Sequence, residues 1–142
     1  MISILTYGPE HFDGVKALWQ EAFPSDKPWN AAEVAIAEKL KMQPELFLVA
    51  LDSGVVVGSI MAGYDGHRGW ISRIAVLAAR RRAGIGRALI AEAERRLLAI
   101  GCGKINLQVV RANADVVGFY RSLGYEVEER ISMGKRIAKP GR

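Results

Sequence analysis

Arg81-Arg82-Ala83-Gly84-Ile85-Gly86-Arg87 has the composition and spacing of an anion-binding loop. A strand-like run precedes it and an amphipathic pattern follows, so the two glycines fall where a loop becomes the first turn of a helix. Glycine lets the backbone turn tightly and approach a ligand closely. The unpaired N–H groups of a helix start add the positive end of its dipole. Arginines at 80, 81, 82 and 87 raise the local positive potential further, and the expected ligand is a diphosphate.

Spacing separates the known kinds of phosphate loop. A dinucleotide fingerprint needs a third glycine three places after Gly86, where Leu89 stands, and an acidic residue about 20 positions on, which is missing. A P-loop ends in Gly-Lys-Ser/Thr, whereas Gly86 is followed by Arg87 and Ala88. Both versions are excluded. With one cysteine, Cys102, and only His11 and His67 as histidines, neither a disulfide framework nor a metal site is expected. Cys102 reads as a small, half-buried residue after a helix.

The loop must be positioned by the elements around it. Ile2 to Tyr7 reads as a strand, ended by Gly8-Pro9, which also opens a helix with Val15, Leu18, Trp19 and Ala22 on its apolar face. Asn30 with Glu33 predicts a capping box for a second helix running to about Met42. Leu46 to Leu51 and Val55 to Tyr64, joined by Asp52-Ser53-Gly54, predict a hairpin. A polar turn at Tyr64 to Gly69 leads to a strand at Trp70 to Val76, then to the loop. A helix follows from about Gly84 to Ile100, with the stripe Ile85, Leu89, Ala93 and Leu97 and a terminating Gly101.

Lys104 to Val110 alternates as a strand should. Asn113 or Asp115 caps a short helix whose inner face is Val116, Phe119 or Tyr120, and Leu123, and Gly124 ends it. Tyr125 to Arg130 and Ser132 to Ile137 can make a last hairpin. Roughly seven strands and four helices in mixed order imply an α/β chain with one sheet covered by helices on both faces.

Length and charge set the remaining bounds. At 142 residues, half apolar and a quarter charged, the chain is expected to be one globular domain, residues 1–142, with a proper core. Its apolar runs are far below the roughly 20 residues that span a bilayer, and Met1-Ile2-Ser3 lacks the basic start of a signal peptide. The expectation is a cytoplasmic protein with no membrane partner. Residues 1–70 carry five Lys/Arg against nine Asp/Glu, while residues 71–142 carry fifteen against six. The basic density centres on the glycine loop and forms no stripe interleaved with aromatics. A compact polyanion fits that better than a nucleic acid.

Arg81-x-x-Gly84-x-Gly86, with Ile74-Ala75-Val76 before it and Asn113 and Tyr120 after it, resembles the GNAT superfamily of N-acetyltransferases. The second half is similar to the bacterial ribosomal-protein alanine N-acetyltransferases. In element order the resemblance spans essentially the whole chain. It is sharpest over residues 72–125, which end in Phe119-Tyr120-Arg121-Ser122-Leu123-Gly124-Tyr125. It implies the acyl-CoA N-acyltransferase fold, with a mixed, largely antiparallel sheet of six to seven strands and about four helices. It also implies acetyl-CoA as cofactor, a primary amine as acceptor (small molecule, protein N-terminus or lysine), direct transfer in a ternary complex and, often in the family, a homodimer.

Site roles follow from the same resemblance. Ile74, Ala75 and Val76 match the strand that pairs with the pantetheine arm. Arg81 belongs to the motif, and Arg82, Ala83, Gly84, Ile85, Gly86 and Arg87 match the pyrophosphate loop. Asn113 matches a side chain near the pantetheine end, and Tyr120 the tyrosine that returns a proton to the leaving thiolate. The strands are expected to splay apart beside the loop's strand, admitting the cofactor. Trp29, beside Pro28 between the first two helices, lies where the family often shapes its acceptor pocket. The Val76 backbone N–H is the natural oxyanion donor.

One residue departs from the pattern. Where the ribosomal-protein enzymes keep a glutamate five places before the asparagine, this chain has Gln108, which accepts no proton at neutral pH. The base is unassigned among a water held by Gln108, His67 and Asp65. That departure keeps open a second reading, a catalytically weak acyl-CoA-binding sensor. The acidic first half suits a cationic acceptor.

Overall fold

The computed structural model describes residues 1–138, so the last four residues of the expected domain lie outside the described part. Met1–Leu107 forms one compact unit, and a second, smaller one begins at Gln108. The first unit holds the strands β1 (Ile2–Thr6), β2 (Phe47–Asp52), β3 (Val55–Tyr64), β4 (Gly69–Val76) and β5 (Ile105–Leu107). Its helices are α1 (Phe12–Ala22), α2 (Ala32–Lys39) and α3 (Ile85–Ala99), and the second unit carries α4 (Val117–Ser122).

The strands lie side by side in the order β1-β2-β3-β4-β5. The first four are antiparallel neighbours, and β5 joins β4 in parallel. Alternation along β2 explains the layers. Phe47, Val49 and Leu51 face a core shared with Val15, Leu18 and Trp19 of α1 and Ala32 and Ile36 of α2. Leu48 and Ala50, also fully buried, point the other way, as the period of two requires. On that side α3 buries Ile85, Leu89, Ala93 and Leu97, the predicted stripe. Gly58 of β3 lets α3 come close: a Cβ there would stand 3.0 Å from a Leu89 methyl carbon and 3.1 Å from the Ala75 carbonyl oxygen.

Both helix ends marked by glycine are closed as their chemistry demands. After α3, Gly101 (φ +98°) donates to the Leu98 carbonyl and Cys102 N–H to that of Leu97. After α4, Gly124 (φ +95°) donates to Arg121 and Tyr125 to Tyr120. Each is a Schellman turn, which requires a left-handed residue at this position. Cys102 is free and buried, its thiol donating to the Lys104 carbonyl at 3.3 Å.

Five expectations are corrected. The sheet has five strands among the described residues, because 125–130 and 132–137 form none. Val127, Ile131, Met133 and Ile137 are largely exposed, and an unsupported two-stranded ribbon is marginal in water. The strand expected over Lys104 to Val110 shrinks to Ile105–Leu107, where β4 offers a ladder. Ala31, not Asn30, caps α2, which ends at Lys39 and not Met42; Glu33 instead pairs with Lys16 at 2.6 Å. Neither Asn113 nor Asp115 caps α4; Val116 stands there without a side-chain cap. Arg80 turns away from the loop onto Asp52.

Glu92 anchors α3 electrostatically. It accepts from Arg95 at 2.6 Å and from Arg96 at 2.8 Å, and Arg96 also reaches Thr6 and the Glu45 carbonyl. The two guanidiniums hold the Glu92 carboxyl down at about 2. A depressed carboxylate stabilises the fold above its unfolded pKa, and that stability is lost as pH falls through the folded value. Glu92→Gln should therefore cost about 1 kcal/mol at pH 7. In urea titrations across pH, the gap from wild type should close between about pH 5 and pH 2.

Candidate functional site

The unusual geometry of the first unit concentrates in the second half of β4 and the loop after it. Ser59 opposes Ala75 and Met61 opposes Ser72, so Arg73 and Ile74 together face the single residue Ile60. This is a β-bulge, and it bends the strand. Arg73 sits in it at φ +51°, a left-handed conformation that costs a non-glycine residue roughly 1–2 kcal/mol. Beneath it, the buried Ser59 hydroxyl accepts from Trp19 Nε1 and donates to the Arg73 carbonyl, both at 2.9 Å.

β5 pairs with β4 only at Gly69, Trp70 and Ile71. Among the described residues no strand continues that ladder along 72–76. Ile74 and Val76 lie half-buried on this freed stretch and Ala75 is buried. A 3-10 turn, Ala78–Arg80, follows, and the Ala78 N–H donates to Glu21 Oε2 at 2.7 Å.

The arginine loop then turns into α3. Arg82 and Gly84 both adopt positive φ, +66° and +81°, the second as the residue preceding the helix. Among the described residues no side chain caps that end, and its first turn holds no acidic residue. A Cβ built on Gly84 would meet nothing within 4 Å. Arg81, Arg82, Ala83, Gly84 and Arg87 are exposed, Gly86 is half-buried and Ile85 anchors the turn in the core. Among the described residues Arg81, Arg82 and Arg87 make no ion pair. Helix N–H groups without a cap, beside three unneutralised cations, are what a pyrophosphate needs.

Tyr120, Asn113 and Gln108 belong to the second unit. Tyr120 lies on α4 with Phe119 and Tyr125 set edge-on to its ring at 5.3 and 6.1 Å. Burial pushes its hydroxyl above the ordinary tyrosine range. Asn113 is exposed at a kink (φ −111°) inside the 3-10 stretch Arg111–Val116. The Gln108 amide donates to Ser132.

Asp65 is committed to its own turn, because Oδ1 accepts the N–H groups of Arg68 and His67, each at 2.8 Å. Those bonds hold its carboxyl below the usual range. Of the tryptophans, Trp19 is buried, Trp29 half-buried and Trp70 44% exposed.

Sequence reasoning missed the group around Arg73. Its guanidinium lies over Trp19 at 4.5 Å and Phe23 at 4.1 Å, and donates twice to Asp26, at 3.0 and 2.5 Å. No local spacing signals a pair separated by 47 positions.

A family model described as the acetyltransferase (GNAT) family matches residues 12–125. An acetyltransferase of Yersinia enterocolitica is 42% identical over 136 residues, spanning 96% of each chain. Among solved structures, an aminoglycoside N-acetyltransferase in complex with CoA superposes with a TM-score of 0.77 at 19% identity, over 97% of this chain and 96% of that one. The ribosomal-protein-S18-alanine N-acetyltransferase from Escherichia coli gives 0.73 at 21%, over 87% and 77%. At those identities the two structures establish the fold.

Gly84→Ala tests the loop by itself. The site has room for the methyl group, so the substitution should act only through φ, lowering unfolding stability by roughly 1 kcal/mol in urea. A loss above about 3 kcal/mol would mean that the loop is packed rather than open.

Proposed function

The chain belongs to the GNAT acetyltransferase family, and from that membership we propose that it transfers the acetyl group of acetyl-CoA to a primary amine by direct attack. Both compact units would serve one transferase domain, working in the cytoplasm. The observation that carries this reading is the uncapped start of α3, with Gly84 at φ +81° and exposed Arg81, Arg82 and Arg87 around it. It adjoins the stretch of β4 that β5 leaves unpaired.

The donor and the loop fit in kind. Arg81, Arg82, Ala83, Gly84, Ile85, Gly86 and Arg87 would hold the pyrophosphate. The main chain of Ile74, Ala75 and Val76 would hold the pantetheine arm as an added strand, with Asn113 near its end. Acetyl-CoA supplies an acyl group activated as a thioester. An amine of pKa about 10.4 is neutral only about one part in 10³ at pH 7, a deficit of roughly 4 kcal/mol to be offset by a base or a desolvating pocket.

As nitrogen attacks, charge develops on the carbonyl oxygen, and the Val76 N–H is the donor proposed to receive it. The carbon–sulfur bond breaks and the thiolate takes the Tyr120 proton. The amine's own proton leaves through a base, for which Gln108 can only hold a water. Because burial raises its hydroxyl, Tyr120 stays protonated throughout the neutral range.

Gln108 favours one other reading, a sensor that binds acyl-CoA without turnover. Thiol release from acetyl-CoA across cationic, neutral and acidic amines separates the two. Transfer to cationic or neutral amines is expected. Tyr120→Phe should lower kcat by about 10²-fold while CoA affinity, read by titration calorimetry, stays within about twofold. The wild-type alkaline limb of kcat should lie above the ordinary tyrosine value of about 10 and vanish in that variant. Tight CoA binding with no release on any amine would establish the sensor.

A further inference from the structure

Two ties from the end of α1 and the loop after it grip β4 and its exit on either side of Val76. Three positions before it, Arg73 is held by Asp26 through both carboxylate oxygens and donates to the Asn30 carbonyl at 3.3 Å. Two positions after it, Ala78 donates to Glu21 at 2.7 Å. Between α1 and α2 the chain has only turns and the 3-10 stretch Pro28–Asn30, so its position depends on such ties.

Arg73 bears two costs at once. Its backbone is left-handed, and its Nε is buried without a hydrogen-bond partner among the described residues. Its side chain is only 14% exposed, pressed against Trp19 and Phe23, and its carbonyl is fixed through Ser59. Retained strain and an unsatisfied donor at one residue mark a position set by function more than by stability.

We propose that Asp26 and Arg73 form a latch that holds segment 21–30 against β4 beside Val76 and thereby determines which amine is accepted. The inference rests on the transferase reading above. An attacking nitrogen must come within about 3–3.5 Å of the carbonyl carbon, so a wall fastened on both sides of Val76 decides what shape of amine can do so. The latch acts by placing that wall, and the cofactor loop at 81–87 is built from other residues. Arg73 and Asp26 are therefore positioning residues whose loss registers on the acceptor.

Asp26→Asn removes the charge and keeps the size. Arg73→Asn removes the guanidinium while leaving a residue that tolerates left-handed backbone. Steady-state kinetics on the full chain, with the best amine from the thiol-release panel, should show acceptor KM rising about tenfold in both variants. The KM for acetyl-CoA should change less than twofold. Arg73→Lys, which keeps a cation for Asp26, should recover part of the loss.

Hydrogen exchange should accelerate at the non-proline amides of residues 25–30 in the two asparagine variants, with α3 unchanged. Transfer with an unmoved acceptor KM, or a parallel rise in both KM values, overturns the latch and leaves the transferase reading standing. No transfer by the wild-type chain on any amine overturns that reading and this inference with it.

Discussion

Everything proposed for this molecule depends on β4 failing to satisfy two neighbours at once. It is antiparallel to β3 along nearly its whole length but parallel to β5 for only three residues. The bulge at Arg73 and Ile74 is the local event that accompanies the change, because an extra residue on one strand bends it and strengthens its twist. β5 ends at Leu107, and the backbone edge of β4 beyond Ile71 has no strand beside it among the described residues. The bulge is fixed from beneath by Ser59 and Trp19, two buried groups that satisfy each other and the Arg73 carbonyl. Packing of α1 and the bulge in β4 are thus one structural problem.

Much of the first unit was legible because its elements are strongly periodic. β3 was read at the bounds it occupies, and the Ile85, Leu89, Ala93 and Leu97 stripe of α3 is buried as its spacing requires. The uncapped loop was legible too, since Gly84 announces positive φ and arginines announce charge. Failures came where a pattern was present without a partner. Residues 125–137 alternate well enough to suggest a hairpin, yet Val127, Ile131, Met133 and Ile137 are left exposed. Asn30 and Glu33 have capping-box spacing, but Lys16 claims Glu33 from another helix. Local sequence states what a segment could do, and tertiary contact chooses among those options.

The bulge left no trace in the sequence. A single extra residue changes neither composition nor hydrophobic periodicity, and arginine is not a residue whose type announces left-handed backbone. The tie to Asp26 is equally silent, because its partners are remote in the chain. The family resemblance, by contrast, singled out Ile74, Ala75 and Val76, the stretch of β4 where the bulge lies, since it rests on the order of motifs and not on any one residue's conformation.

The charge division between the halves also changes meaning once the structure is read. The acidic excess before residue 70 suggested a surface waiting for a cationic acceptor. Yet Asp26 is neutralised by Arg73 and Asp52 by Arg80 and the N-terminal ammonium, so two of those acids are matched by arginines from the basic half. Glu33 is matched by Lys16. The sum of charges therefore overstates the field near Val76. Glu21 is different: it accepts from the Ala78 N–H, a neutral donor, and makes no ion pair among the described residues. Under the proposed transferase reading, the carboxylate beside β4 that would meet a cationic amine is Glu21, and the acidity of half a chain is a poorer guide to it.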